Sequence, residues 1–84
     1  MADLLPLIIE TIQDLARQRV IPWDITEMTL SADTEIDALG IDSVGKLDLL
    51  AEIEERADMA ISEGALQGRR TLGELALALE GLRS

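Results

Sequence analysis

A chain of 84 residues has room for one small domain with a thin core, and without cysteine or histidine it offers no disulfide, no thiolate chemistry and neither of the commonest neutral-pH bases and metal ligands. Seventeen acidic residues against seven basic ones give a formal net charge of −10, which repels nucleic-acid phosphates and anionic lipid but attracts proteins with basic patches. A hydrophobic content of 48% places the chain with folded acidic domains rather than acidic disorder.

The N-terminus "MADLLPLIIE" lacks a basic n-region, so it does not read as a signal peptide. No apolar run approaches the ~18 residues of a membrane span. The expected compartment is the cytoplasm. Leu5, Ile8, Ile9, Ile12, Leu15 and Ala16 recur at the spacing of one helix face, with Asp3 placed to cap it, Pro6 in its first turn and Arg17 and Arg19 at its C-terminal end. Val20-Ile21-Pro22 breaks the pattern. The connection that follows, from about Val20 to Asp42, is long enough to need a function or internal structure. Within it Thr34 and Asp37 form a candidate capping pair, Gly40 can end the turn, and Ile36, Leu39 and Ile41 can pin the loop to the core. Trp23, the only aromatic, is expected to cover one end of the bundle.

A second helix is expected from about Ser43 to Ala57 and a last one from about Leu72 to Leu82, the latter opened by Thr71 and Glu74 as a capping box. Between them, "ISEGALQGRR" can hold one short turn of helix near Glu63 to Gln67. No segment alternates like a strand. The expected fold is all-α: a small four-helix bundle, three main helices plus a short third one, with a long first loop. Residues 1–84 read as a single domain.

The stretch "ALGIDSVGKLDLL" concentrates the chemistry. If Ser43 capped the second helix, its box partner would be Lys46, which has the wrong charge; if Asp42 is the cap, the equivalent position is Gly45, which cannot reach back. Gly45 costs about 1 kcal/mol relative to alanine inside a helix, and the sequence offers no structural reason for it. A bare helix N-terminus, with free amides and the positive end of the helix dipole, favours a phosphate. A hydroxyl there can carry one covalently.

"LGIDSVGKLDLLAEIEERADMAIS" resembles the acyl carrier protein signature, and the likeness runs from about Leu30 to "TLGELA" near residue 76. In that family an Asp-Ser-Leu-type triplet opens the second helix and its serine receives 4′-phosphopantetheine. Leu39, Gly40, Asp42 and Ser43 match well, and Val44 stands in for leucine. The resemblance implies that Ser43 is the attachment point, with Asp42 both capping the helix and aiding recognition. It also implies a non-catalytic carrier, monomeric, whose acyl or aminoacyl cargo rides as a thioester in fatty-acid, polyketide or related biosynthesis. Its partners would be a phosphopantetheinyl transferase using coenzyme A and magnesium, a loading ligase, and synthases or transferases with basic docking patches. Nucleic acid and membrane are not among them. Val44 and an acidic stripe of Asp48, Glu52 and Glu55, on the side of the helix away from Leu47, Leu49, Leu50 and Ile53, are the expected docking residues. Glu54 falls nearer the apolar side, without an assigned role.

Three other readings were open to these residues. A Ser43–Lys46 enzyme would need a desolvated lysine, and an acidic exposed first turn keeps it charged. "DTEIDALGIDSV" imitates a calcium loop, but Ala38 replaces the glycine and Val44 the terminal glutamate that such a loop requires. An acidic helical interaction module without a prosthetic group is the alternative function. Departures from carriers of fatty-acid synthesis point to a specialised member: Ala57 where a bulky residue is common, Ser62 where proline is frequent, Gly45-Lys46 at the start of the second helix, and Arg69-Arg70 before the last.

Overall fold

The computed structural model describes residues 3–83, and among them every regular element is helical. Three α-helices, α1 (Leu5–Arg17), α2 (Ser43–Ala57) and α3 (Leu72–Arg83), pack around one apolar core, with single 3₁₀ turns at Trp23–Glu27, Ile36–Leu39 and Glu63–Leu66. The short third helix therefore exists only as the last of these turns. None of the described helices is long and apolar enough to cross a membrane.

The periodic face of α1 is buried through Ile8, Ile12, Leu15 and Ala16, while Leu5 and Ile9 are only partly covered. Thr11 lies on the same buried side, and its hydroxyl donates to the Leu7 carbonyl at 2.6 Å, so among the described residues no buried side-chain polar atom is left without a partner. Asp3 accepts from the Leu5 amide at 3.0 Å, one residue outside the formal N-cap, Leu4. Arg17 closes the last turn, but Arg19 lies beyond it in the left-handed region at φ 64°. There the Arg19 amide donates to Ala16 and the Val20 amide to Leu15, a paired closure of the helix end that usually uses glycine.

From α2, Leu49, Leu50 and Ile53 enter the core, and from α3 Leu72, Leu75, Ala76 and Leu79. Each fully covered leucine or isoleucine contributes about 2 kcal/mol of transfer free energy. The capping box of α3 forms in a modified way. The Glu74 amide donates to the Thr71 hydroxyl at 3.2 Å, and the Glu74 carboxylate reaches back to that hydroxyl at 3.4 Å and to the Arg70 amide at 3.5 Å.

The long first loop is held by backbone bonds to the start of α3: Ile36 amide to Arg70 carbonyl, Leu72 amide to Thr34 carbonyl, and Gly73 amide to Ala32 carbonyl, all at 2.9–3.0 Å. Ile36, Leu39 and Ile41 are buried as expected, and Gly40 ends its turn at φ 69°. The Thr34–Asp37 capping pair does not form. Thr34 instead accepts from the Ser31 amide at 2.8 Å, and Asp37 faces Lys46, because the extended segment pairing with α3 turns Thr34 away from the 3₁₀ turn. Trp23 is not a lid on the bundle either. It is 44% exposed, with the Arg19 guanidinium 6.0 Å from its ring centroid.

The end of α2 carries a testable strain. Asp58 holds a left-handed conformation at φ 54°, and it puts a negative charge at the negative end of the helix dipole. Asp58→Gly removes both effects and is expected to stabilise the domain by about 1 kcal/mol. For a domain of this size that raises Tm by about 4–8 °C. A Tm that falls in a thermal melt would show that the Asp58 side chain stabilises the turn.

Candidate functional site

The loop delivers Ile41 into the core and Asp42 to the surface, where α2 begins. Asp42 has extended backbone (φ −79°, ψ 179°), and its carboxylate accepts from the Gly45 amide at 2.7 Å, while its carbonyl accepts from Lys46 at 2.9 Å. Asp42 is thus the N-cap. This settles what the adjacent hydroxyl does not do: Ser43, as the first helical residue, is exposed, and among the described residues nothing bonds its Oγ. The Ser43 and Val44 amides likewise meet no acceptor among the described residues.

Gly45 has a structural reason after all. A Cβ there would lie 2.7 Å from Ile41 Cγ2, 3.2 Å from Asp42 Oδ1 and 3.2 Å from Ile21 Cγ2. The residue is buried beneath the loop that follows α1, which a sequence read along a single helix cannot reveal.

One side of the site opens into a groove of ≈ 760 Å³ between α2 and the Glu63–Leu66 turn, bordered by Ser43, Leu47, Leu50, Leu66 and Gln67. Leu47, expected on the buried face, is 46% exposed and forms part of this wall. Its position four residues after Ser43 was the available signal, because i and i+4 share a helix face. Val44 is exposed beside it, at 67%. Lys46 also lines the groove, with its Nζ 3.8 Å from Asp37 Oδ1.

The acidic stripe is only partly available. Asp48 and Glu55 are exposed, but Glu52 Oε1 pairs with Arg56 Nε at 3.1 Å, and Arg56 Nη1 reaches Asp14 Oδ2 on α1 at 2.9 Å. Asp14 and then Glu52 push the Arg56 pKa up, so the guanidinium stays charged throughout. Asp14 also holds Arg17 at 3.1 Å. Arg56 went unassigned in the sequence, although its i, i+4 spacing from Glu52 signals the pair. Glu54 gains a role as well: its carboxylate accepts from the Ile61 amide at 2.8 Å and ties down the turn after α2.

An unengaged hydroxyl, two uncovered amides at the positive end of α2 and an adjoining groove with leucine walls suit a covalently held group with a phosphate at one end and a flexible arm beyond it. That combination on a small acidic helical domain defines a class, the phosphopantetheine-dependent carriers. The family model for the phosphopantetheine attachment site matches residues 10–79, and the chain belongs to that family. No curated protein and no solved structure matches it. Membership brings covalent 4′-phosphopantetheine as the prosthetic group, and with it a phosphopantetheinyl transferase and biosynthetic enzymes as the general kind of partner. The arm supplies a terminal thiol to a chain that has no cysteine of its own.

Proposed function

We propose that residues 1–84 act as one non-catalytic carrier domain, that Ser43 is its attachment point, and that an acyl or aminoacyl cargo is presented to partner enzymes as a thioester. One observation carries this reading: Asp42 takes the cap, which leaves the Ser43 hydroxyl exposed and unengaged at the start of α2. The helix end favours a phosphate on that oxygen through its dipole and its uncovered amides. Asp42 keeps the first turn closed while it holds its own charge beside the serine. Val44 and Leu47 present an exposed apolar surface next to Ser43, and Asp48 and Glu55 border it with negative charge. Such a surface suits enzymes that combine a basic rim with an apolar centre. Incubation with coenzyme A, magnesium and a broad-specificity phosphopantetheinyl transferase should add the mass of one phosphopantetheine, and peptide mapping should place it at Ser43. An unchanged intact mass, or a modified Ser31 or Ser62, would sink the assignment.

We infer further that the cargo belongs to a specialised pathway, polyketide-like, lipid-modifying or aminoacyl, rather than primary fatty-acid synthesis, and the groove beside Ser43 makes the question measurable. Leu47, Leu50 and Leu66 can cover part of an alkyl chain. Burial contributes up to ~0.8 kcal/mol per methylene, less the cost of parting the helices. Each net kcal/mol raises Tm by about 4–8 °C in a domain of this size. The octanoyl-loaded form is therefore expected to melt several degrees above the form with the bare arm, and a glycyl-loaded form to melt with the bare arm. Coincident melting of all three would place the cargo in solvent and favour a short or polar one.

A further inference from the structure

Gly45 lies two residues from Ser43 in the first turn of α2, and no other glycine has a neighbour so close to its Cβ position. Its virtual Cβ lies 2.7 Å from Ile41 Cγ2, a separation that real side chains do not adopt, and 3.2 Å from both Ile21 Cγ2 and Asp42 Oδ1. These three neighbours have distinct jobs. Ile21 belongs to the segment leaving α1 and is buried, so its contact holds the first loop against α2. Ile41 anchors the chain in the core just before the helix begins. Asp42 Oδ1 is the cap atom itself, 2.7 Å from the Gly45 amide. Ser43 is the first of the two residues between the cap and this crowded position.

We propose that Gly45 is a positioning residue for the reactive hydroxyl: the missing side chain lets Ile21 and Ile41 close over the first turn of α2, which fixes the Asp42 cap and with it the direction of Ser43. The proposal rests on Ser43 being the attachment point. A methyl group at position 45 has to push Ile41 or the Asp42 carboxylate aside. Either movement turns the serine relative to the docking surface that a transferase reads farther along the helix at Leu47, Asp48 and Glu55, and leaves that surface unchanged. The penalty therefore falls on alignment of the hydroxyl during transfer, and docking is preserved.

The test compares Gly45→Ala with Gly81→Ala, an exposed position in α3 where a Cβ meets nothing within 4 Å. Transfer from coenzyme A by a broad-specificity phosphopantetheinyl transferase is measured on folded protein, with far-UV circular dichroism as the check on folding. Gly45→Ala should lose roughly 10- to 100-fold in kcat at little change in KM, the scale of a small misplacement of a reacting atom. Gly81→Ala should keep the wild-type rate. Ile41→Leu moves the crowding methyl from Cβ to Cγ at constant volume, so Gly45→Ala combined with Ile41→Leu should recover most of the lost kcat. An unchanged rate in Gly45→Ala, a loss confined to KM, or no recovery in the double variant would overturn the proposal. So would failure of both Gly45 variants to fold, since the glycine would then serve the core rather than the site. A wild-type chain that accepts no arm at all would count against the Ser43 assignment, and the proposal would fall with it.

Discussion

Ser43→Ala is expected to abolish modification by any phosphopantetheinyl transferase while leaving the helical spectrum intact. Losing a capping serine costs about 1 kcal/mol, but here the cap is Asp42, whose carboxylate stays 2.7 Å from the Gly45 amide, so even that cost should be mostly absent. The alanine is also a better helix former than serine at the first position of α2. Stability and function should therefore separate cleanly: a Tm within a few degrees of wild type and no mass shift with coenzyme A. Asp42→Ala should do the reverse in part, lowering Tm by removing the cap. Residual modification of Ser43→Ala would move the attachment point to another hydroxyl.

The second large effect concerns docking. Reversing Asp48 and Glu55 to lysine changes the local charge by four units on the exposed side of α2, and electrostatic steering of this kind alters association rates by about 10- to 1000-fold at low salt. The association rate of the transferase should fall by at least about tenfold at low ionic strength. The difference from wild type should shrink as salt rises, because exposed charges are screened over ~10 Å at 0.1 M. Glu52→Lys is expected to behave differently. It leaves Arg56 with Asp14 alone and places two cations one helical turn apart, so it should lower Tm as well as the association rate. These pairs are partly exposed, and the loss should stay within about 1 kcal/mol. A low-salt rate unaffected by reversing Asp48 and Glu55 would reduce the stripe to a solvated face.

What the sequence by itself determined follows from interactions short in range. The three α-helices come from the periodicity of residues such as Ile8, Ile12 and Leu15, the start of α3 from Thr71 and Glu74, and the end of the Ile36–Leu39 turn from Gly40 at φ 69°. Local spacing narrowed the cap of α2 to Asp42 or Ser43, because capping depends on neighbours within three residues; the family resemblance pointed to Asp42, and the bond from the Gly45 amide bears that out. Tertiary structure decided the rest, since those outcomes depend on segments far apart in the chain. Gly45 looked unexplained until Ile21, from the segment after α1, closed over it. Thr34 had the right spacing for a cap, but backbone pairing of the loop with α3 took precedence, as several backbone bonds outweigh one side-chain bond. Leu47 belonged to the apolar count of α2, yet the turn at Glu63–Leu66 stands off and leaves it lining a groove. Glu52 pairs with Arg56 one helical turn away within α2, but only the approach of α1 brought Asp14 to that arginine and joined the two helices in a shared network. Local chemistry chose the helices and the hydroxyl; the packing of α1, its following loop and the Glu63–Leu66 turn against α2 decided which side chains around that hydroxyl remain open to a partner.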